Sequence, residues 1–161
     1  MTAHRRGSGL DDATDATLRA SRALLGVVAR SLSEALEHVS LPQFRVLVLL
    51  AVDGPLRSGV VAERMGIHPS TFSRNADRLV AGGWVRRVED PDSRLSVLIE
   101  LTDTGADLVD RVTRRRRAEL REILATMPPE TRDVLAGALE SFADAAGEAG
   151  AGAADLTALG M

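Results

Sequence analysis

The sequence contains no cysteine and no lysine, and aromatic residues make up only 2% of its 161 residues. Without cysteine, the chain cannot form disulfides, thiolate metal sites or thiol nucleophiles. With so few aromatic residues, the core must be built from leucine, valine and alanine. No apolar run approaches the length of a membrane span, and no signal-peptide pattern precedes the first helical pattern. We therefore expect a soluble, cytoplasmic protein.

The net charge of −3 conceals an uneven distribution along the chain. Residues 1–56 are neutral, residues 57–117 carry a net +3, and residues 118–161 carry a net −6. Because the local field outweighs the total charge in association, the basic middle segment is the part suited to an anionic partner. The length allows one domain with helical extensions, and is too short for two full cores.

The N-terminal part of the chain predicts a flexible segment over residues 1–11 and a long helix over residues 12–40. Leu18, Leu25 and Leu32 recur at helical spacing and form one apolar stripe. Such a helix would be roughly 40 Å long, which is more than a small core can bury. We therefore predict that this helix contributes to a dimer.

Residues 41–101 carry helical patterns that give way to strand patterns. The second helix opens at Pro42 and is apolar on almost every side, which is typical of the centre of a domain. Gly66 and the pair Gly82-Gly83 are suited to end the two helices that follow. A turn sequence at residues 90–93 separates two strand-like runs. In order, the pattern predicts three helices and a hairpin, over residues 42–52, 58–65, 69–80 and 84–101.

Residues 102–147 predict two further helices. Thr102 is suited to cap the first of them, and the pattern continues through Gly105 to about Met127. Pro128 and Pro129 separate it from a final helix. A Gly/Ala-rich tail over residues 148–161 is expected to be flexible.

This order of elements is that of a winged helix-turn-helix. In that arrangement the second helix of the pair enters the major groove of DNA, and the hairpin follows the backbone or enters the minor groove. The long flanking helices, 12–40 and 102–147, indicate a dimerisation platform around a DNA-binding part at 41–101. The predicted fold class is mainly α, with a small β-hairpin wing.

Several motifs resemble the MarR family of bacterial transcription regulators over roughly residues 15–145. Residues 41–47 are similar to the start of that family's second helix, and residues 70–79 with 83–87 to its recognition helix and the entry to its wing. Residues 90–94 are similar to its wing, and residues 101–105 to the start of its fifth helix. One departure is that Leu95 and Ser96 follow Arg94, where the family commonly has a second basic residue. The wing therefore depends more on Arg94, with Arg86 and Arg87 behind it.

The resemblance implies a set of DNA-contacting residues on the recognition helix and the wing. Short hydroxyls bond phosphates or base edges, and arginine reads guanine with paired donors. At the hairpin tip, Asp92 would brace the turn while Arg94 reaches the minor groove. The alternative is that these residues are helix caps, solvated charges and an ordinary polar turn. The predicted contacts are Ser70, Thr71, Ser73, Arg74, Arg78, Arg86, Arg87, Asp92 and Arg94.

Arg22 is a candidate effector-binding residue because it lies on the apolar stripe of the first helix, between Leu18 and Leu25. A cation on a buried stripe needs a partner. That partner is either an acid across a dimer interface or a small aromatic or anionic ligand. A side chain that extends to solvent is the remaining alternative.

Other charged groups give no enzymatic pattern. The run Arg114 to Arg117 points in four directions around a helix, which favours pairing with acids such as Asp110 and Glu119 over one DNA-binding patch. The three histidines, His4, His38 and His68, are too dispersed for a metal site. We predict no catalytic residues, no metal and no cofactor.

The sequence therefore predicts a homodimeric transcription factor, a ligand-responsive repressor that binds a pseudo-palindromic operator in double-stranded DNA. Two alternatives stay open. One is a winged-helix dimer that binds DNA constitutively, without an effector. The other is a winged-helix protein-interaction module that does not bind DNA, which the net acidity permits. Binding to DNA phosphates would weaken steeply with salt and so separates these classes.

Overall fold

The computed structural model describes residues 4–146, apart from the side chains of residues 4–8, 94 and 95. The helices are α1 His4–Leu32, α2 Leu41–Asp53, α3 Ser58–Arg64, α4 Pro69–Ala81, α5 Asp103–Ala125 and α6 Pro129–Ala145. The strands are β1 Leu56–Arg57, β2 Val85–Asp90 and β3 Ser93–Leu101. The predicted fold class is confirmed. The tail predicted at residues 148–161 lies outside the described residues, and no described helix has the length and apolar character to cross a bilayer.

The first helix begins and ends earlier than predicted. α1 includes residues 4–11, which the sequence analysis assigned to a flexible terminus, and it stops at Leu32. The eight-residue step from Leu10 to Leu18 continues the helical period upstream, so the helix needs no break before residue 12. At its other end a 3-10 turn follows over Ala35–Glu37, and just after it the N–H of Val39 donates to the carbonyl of Ala35 at 3.0 Å. This turn brings both Ala35 and Val39 into the core.

α2 occupies the centre of the core, as its apolar composition predicts. The backbone N–H of Ser40 donates to Oε1 of Gln43 at 2.8 Å, which fixes the first turn of the helix. The core combines α2 with side chains from every neighbouring element, and its largest fully buried members include Phe44, Leu47, Phe72, Leu79, Ile99 and Leu108. The arrangement holds α4 and the sheet against one shared apolar centre.

The hairpin lies within the predicted range and belongs to a three-stranded antiparallel sheet with the strand order β1-β3-β2. The sequence analysis did not predict β1, because two residues are too few to show an alternating pattern. Leu56 pairs with Ile99 and Arg57 with Leu98. The sheet therefore joins the wing to the start of α3.

Candidate nucleic-acid interface

α4 has one buried face and one exposed face. Its N-terminus is fixed by His68, whose Nδ1 accepts the backbone N–H of Ser70 at 3.3 Å. Phe72, Ala76 and Leu79 are buried at helical spacing. The opposite face is exposed and polar, and consists of Ser70, Thr71, Ser73, Arg74, Asp77 and Arg78. The structure therefore brings all five recognition-helix residues of the sequence prediction to one exposed surface.

The predicted arginines differ in how their charges are balanced. Nε of Arg86 donates to Glu100 at 2.7 Å, and Nη2 of Arg87 donates to Asp77 at 2.6 Å. The hydrogen bond from Arg86 to Glu100 raises the pKa of the Arg86 guanidinium above its ordinary value. Within the described part of the chain, Arg74 and Arg78 form no ion pair. The positive charge that no described carboxylate balances therefore lies on α4, whereas the arginines of β2 are paired.

Asp90 organises the wing and was missed by the sequence analysis. Its side chain is only 3% exposed. It accepts hydrogen bonds from Nε of Arg57 at 2.6 Å, from Oγ of Ser96 at 2.7 Å and from the backbone N–H of Asp92 at 2.9 Å. These bonds connect β1, β2 and β3 at the base of the hairpin turn.

The bracing role of the Asp92 side chain stays a prediction, because the side chains of Arg94 and Leu95 beside it lie outside the described residues. Asp92 contributes its backbone N–H, while its side chain is exposed. The sequence did contain a signal for Asp90, because an aspartate that precedes a turn commonly accepts the N–H two residues on. Arg94 lies on β3 beside this turn, and its side chain is outside the described residues, so its DNA contact stays a prediction.

We expect Asp90→Asn to lower the unfolding temperature at neutral pH. Hydrogen bonds from Arg57, Ser96 and Asp92 lower the pKa of Asp90 from 3.8 to about 2. A carboxylate with a depressed pKa stabilises the fold above its unfolded pKa and loses that contribution as pH falls through the folded value. The difference between wild type and Asp90→Asn should therefore shrink between pH 4 and pH 2. Thermal denaturation across this range measures it.

Asp92→Asn is the matched control, since it removes the charge of an exposed carboxylate in the same turn. It should leave the unfolding temperature almost unchanged. An Asp90→Asn protein as stable as wild type at neutral pH would show that the buried carboxylate does not hold the wing.

Arg22 does not lie on a buried stripe within the protomer. Arg22, Leu18 and Leu25 are all exposed, because the buried residues of α1 are confined to its C-terminal part. There Val27 and Leu32 enter the core. Among the residues that the structure describes, none forms an ion pair with Arg22.

The arginines at residues 114–117 of α5 point in different directions, as predicted. Of the two acids predicted to pair with them, only one does so in the structure. Arg114 lies 3.9 Å from Asp110, whereas Glu119 pairs with Arg30 of α1. Nε of Arg116 donates to Oγ of Ser31 at 3.2 Å. Among the described residues, no group of three histidine or acidic side chains could hold a metal ion.

Comparison with known proteins agrees with this arrangement. A sequence model described as the MarR family matches residues 39–94, from the end of the first connection to the wing. The HTH-type transcriptional regulator Mb0904 of Mycobacterium bovis is 34% identical over 102 residues, which cover 63% of this chain and 71% of that protein. The crystal structure of Rv1404 from Mycobacterium tuberculosis has 40% identity and a TM-score of 0.80, covering 86% of this chain and 94% of that one.

A more distant structure shares the fold. FabT of Streptococcus pneumoniae, solved in complex with DNA, has 16% identity and a TM-score of 0.64, and covers 84% of this chain and 94% of that chain. The family match spans the helix pair and the wing, and the relatives extend the likeness to most of the flanking helices. This chain belongs to the MarR family of winged helix-turn-helix transcriptional regulators.

Proposed function

We propose that the protein is a homodimeric repressor that binds a pseudo-palindromic operator and responds to a small effector. The observation that carries the DNA-binding part is the exposed face of α4, where Arg74 and Arg78 stand beside three hydroxyls without a carboxylate partner in the described chain. Arginine donors at these positions suit guanine edges, and hydroxyls suit phosphates. FabT was solved with DNA, so this fold can carry DNA binding.

In this proposal the wing makes the less specific contacts. The bonds around Asp90 hold the hairpin turn in place, and Arg94 follows directly on β3. A cation at that point would read groove width and phosphate charge rather than base identity. Arg86 and Arg87 would act mainly through backbone phosphates, because each already shares its charge with a carboxylate.

Selection of bound fragments from genomic DNA with the purified protein tests the proposal. We expect the recovered fragments to share an inverted repeat with half-sites about one helical turn apart, since a two-fold dimer presents two recognition helices. Recovery of no common sequence would contradict specific recognition. A compound that releases the protein from the recovered site would identify the effector class. If no compound releases it, the protein binds DNA constitutively, which is the alternative reading.

The dimer is proposed from unpartnered apolar surface. Within the described residues, no side chain of α6 is buried, and Val134 is 73% exposed. The large exposed apolar residues are concentrated on α1, the end of α5 and α6, and include Leu10, Leu18, Leu24, Leu25, Ile123, Leu124, Leu139 and Phe142. Apolar surface of this extent normally marks an interface. The helices at 12–40 and 102–147 would then form the platform.

We expect sedimentation to give a dimer at micromolar concentration. Val134→Asp and Phe142→Asp together should shift the protein toward monomer, because each places a charge on a surface that the proposal buries. Val97→Asp is the control, since Val97 is an exposed apolar residue of the wing, away from the platform. A wild-type protein that sediments as a folded monomer would contradict the dimer.

We further propose that Arg22 binds the effector, a small aromatic or anionic compound, in the assembled dimer. The exposure of Arg22 on α1 is compatible with this role only if a second protomer or the ligand covers it. An effector would act by binding more tightly to a dimer whose recognition helices are wrongly spaced for DNA.

A further inference from the structure

The N-terminus of α4 is capped by a side chain that titrates near neutral pH. Serine, threonine, aspartate and asparagine are the usual residues at such a position, because their oxygen atoms accept a backbone N–H. In α4 the cap is His68, whose Nδ1 accepts the backbone N–H of Ser70 at 3.3 Å and lies 2.9 Å from Oγ of the same serine. Pro69, between them, has no backbone N–H. The first backbone N–H of the helix therefore depends on the ring of His68.

This cap exists only while His68 is neutral. Nδ1 has one lone pair in the plane of the ring, so a proton on that nitrogen turns the acceptor into a donor. The Nδ1–H of an imidazolium would donate to Oγ of Ser70, and the backbone N–H of Ser70 would lose its partner. The positive charge would also lie at the positive end of the helix dipole. In the free protein, both effects oppose protonation of His68.

His68 has no acidic partner among the described residues. Its side chain is exposed, and its Nε2 forms no hydrogen bond within the described part of the chain. The charged side chains on the neighbouring helical segments are Glu63 and Arg64 of α3 and Arg74 of α4. Arg64 pairs with Asp53 at 2.5 Å, whereas neither Glu63 nor Arg74 forms an ion pair with His68 in the described chain. A protonated His68 would therefore be unpaired in the arrangement seen in this protomer.

Bound DNA would reverse this preference. In a helix-turn-helix, the N-terminal residues of the recognition helix enter the major groove. Duplex DNA carries one negative charge per about 1.7 Å of its axis, so this end of the helix would lie in a strongly negative field. Ser70 and Thr71, the predicted contacts at this end of α4, follow His68 within three residues. The same histidine is therefore favoured as a neutral cap in the free protein and as a cation on DNA.

We propose that DNA binding takes up a proton at His68, so that the affinity for DNA rises as the pH falls through the range in which histidine titrates. The proposal rests on the proposed DNA binding by α4 and deepens it by adding a residue and a condition that regulates it. The proton passes from solvent to Nδ1, because Nε2 already carries one while Nδ1 accepts the N–H of Ser70. By linkage, a group that holds its proton more tightly in the complex strengthens binding at low pH and contributes nothing at high pH. Histidine titrates between about pH 5 and 8, where carboxylates and arginines keep their charges.

The pH dependence of DNA affinity at constant ionic strength tests this coupling in the full-length chain. We expect wild type to bind both the selected operator and a scrambled duplex roughly tenfold more tightly at pH 5.5 than at pH 8, because phosphate charge does not depend on sequence. His68→Ser should keep the wild-type affinity at pH 8 and lose the pH dependence, since serine caps a helix and does not titrate in this range. His38→Gln is the matched control, because His38 is an exposed histidine beside Trp84, outside α4. It should keep the wild-type pH profile.

Calorimetric titration with DNA at pH 6.5, in buffers with different ionisation enthalpies, measures the proton uptake itself. Wild type should take up protons on binding, and His68→Ser should take up fewer. A wild-type affinity that is constant or falls as the pH decreases, or a pH dependence that His68→Ser retains in full, would overturn the coupling. A protein that binds neither duplex at any pH would instead contradict the proposed DNA binding, so the two failures are distinguishable.

Discussion

Gly105→Ala is expected to destabilise the protein by about 3 kcal/mol or more, although it adds only one methyl group. Gly105 is buried in the first turn of α5, and a Cβ at this position would overlap the carbonyl oxygen of Trp84 and come within 2.9 Å of Cδ2 of Leu101. The same Trp84 carbonyl accepts the backbone N–H of Thr102 at 3.2 Å. Relief of the overlap would therefore break the junction between the wing and α5.

Urea denaturation of wild type, Gly105→Ala and Gly59→Ala measures this effect. Gly59 lies in α3 with no atom near the position of an added Cβ, so Gly59→Ala is the matched control. It should leave stability unchanged or raise it by up to about 1 kcal/mol, because alanine favours the helix. Equal stability of the two variants would show that the backbone of Trp84 does not restrict α5.

Arg74→Ala is expected to weaken operator binding by about 1–3 kcal/mol per half-site and to blur the preferred sequence. Arg74 lies on the exposed polar face of α4, and no carboxylate within the described chain neutralises it. A dimer would lose the contact at both half-sites. Arg115→Ala provides the control, since it removes an exposed arginine from α5, away from α4.

Competition between the operator and single-base variants of it measures this loss of discrimination. Arg74→Ala should bind the variants and the operator with more similar affinities than wild type does. If Arg74→Ala keeps the full discrimination of wild type, then α4 reads the sequence through other residues.

The elements that sequence reasoning located correctly are those with a strong local signal. α2 is apolar on almost every side, Gly66 and Gly83 adopt positive φ after helices, and Thr102 caps α5 by accepting the N–H of Gly105. Each of these signals acts over a few residues, so it can be read without knowledge of tertiary contacts. The exposed face of α4 follows from the same periodicity.

The features that the sequence did not reveal depend on contacts between distant segments. β1 exists because β3 offers it a partner, and Asp90 is important because Arg57, 33 residues away, reaches it across the sheet. The stripe around Arg22 was predicted to be buried, yet its residues are exposed in the protomer. A groove between α5 and α6 joins Arg132 of α6 to Arg116 and Arg121 of α5, and no local run of residues shows that combination.

The salt dependence of affinity for the selected operator and a scrambled duplex tests the central claim most directly. We expect wild type to lose affinity steeply for both duplexes as salt rises, while it retains its preference for the operator. Arg94→Ala should bind both duplexes more weakly and with a smaller salt slope, because Leu95 supplies no neighbouring cation. Wild-type affinity that is independent of salt, or equal for the two duplexes throughout the titration, would contradict sequence-specific DNA binding by this protein.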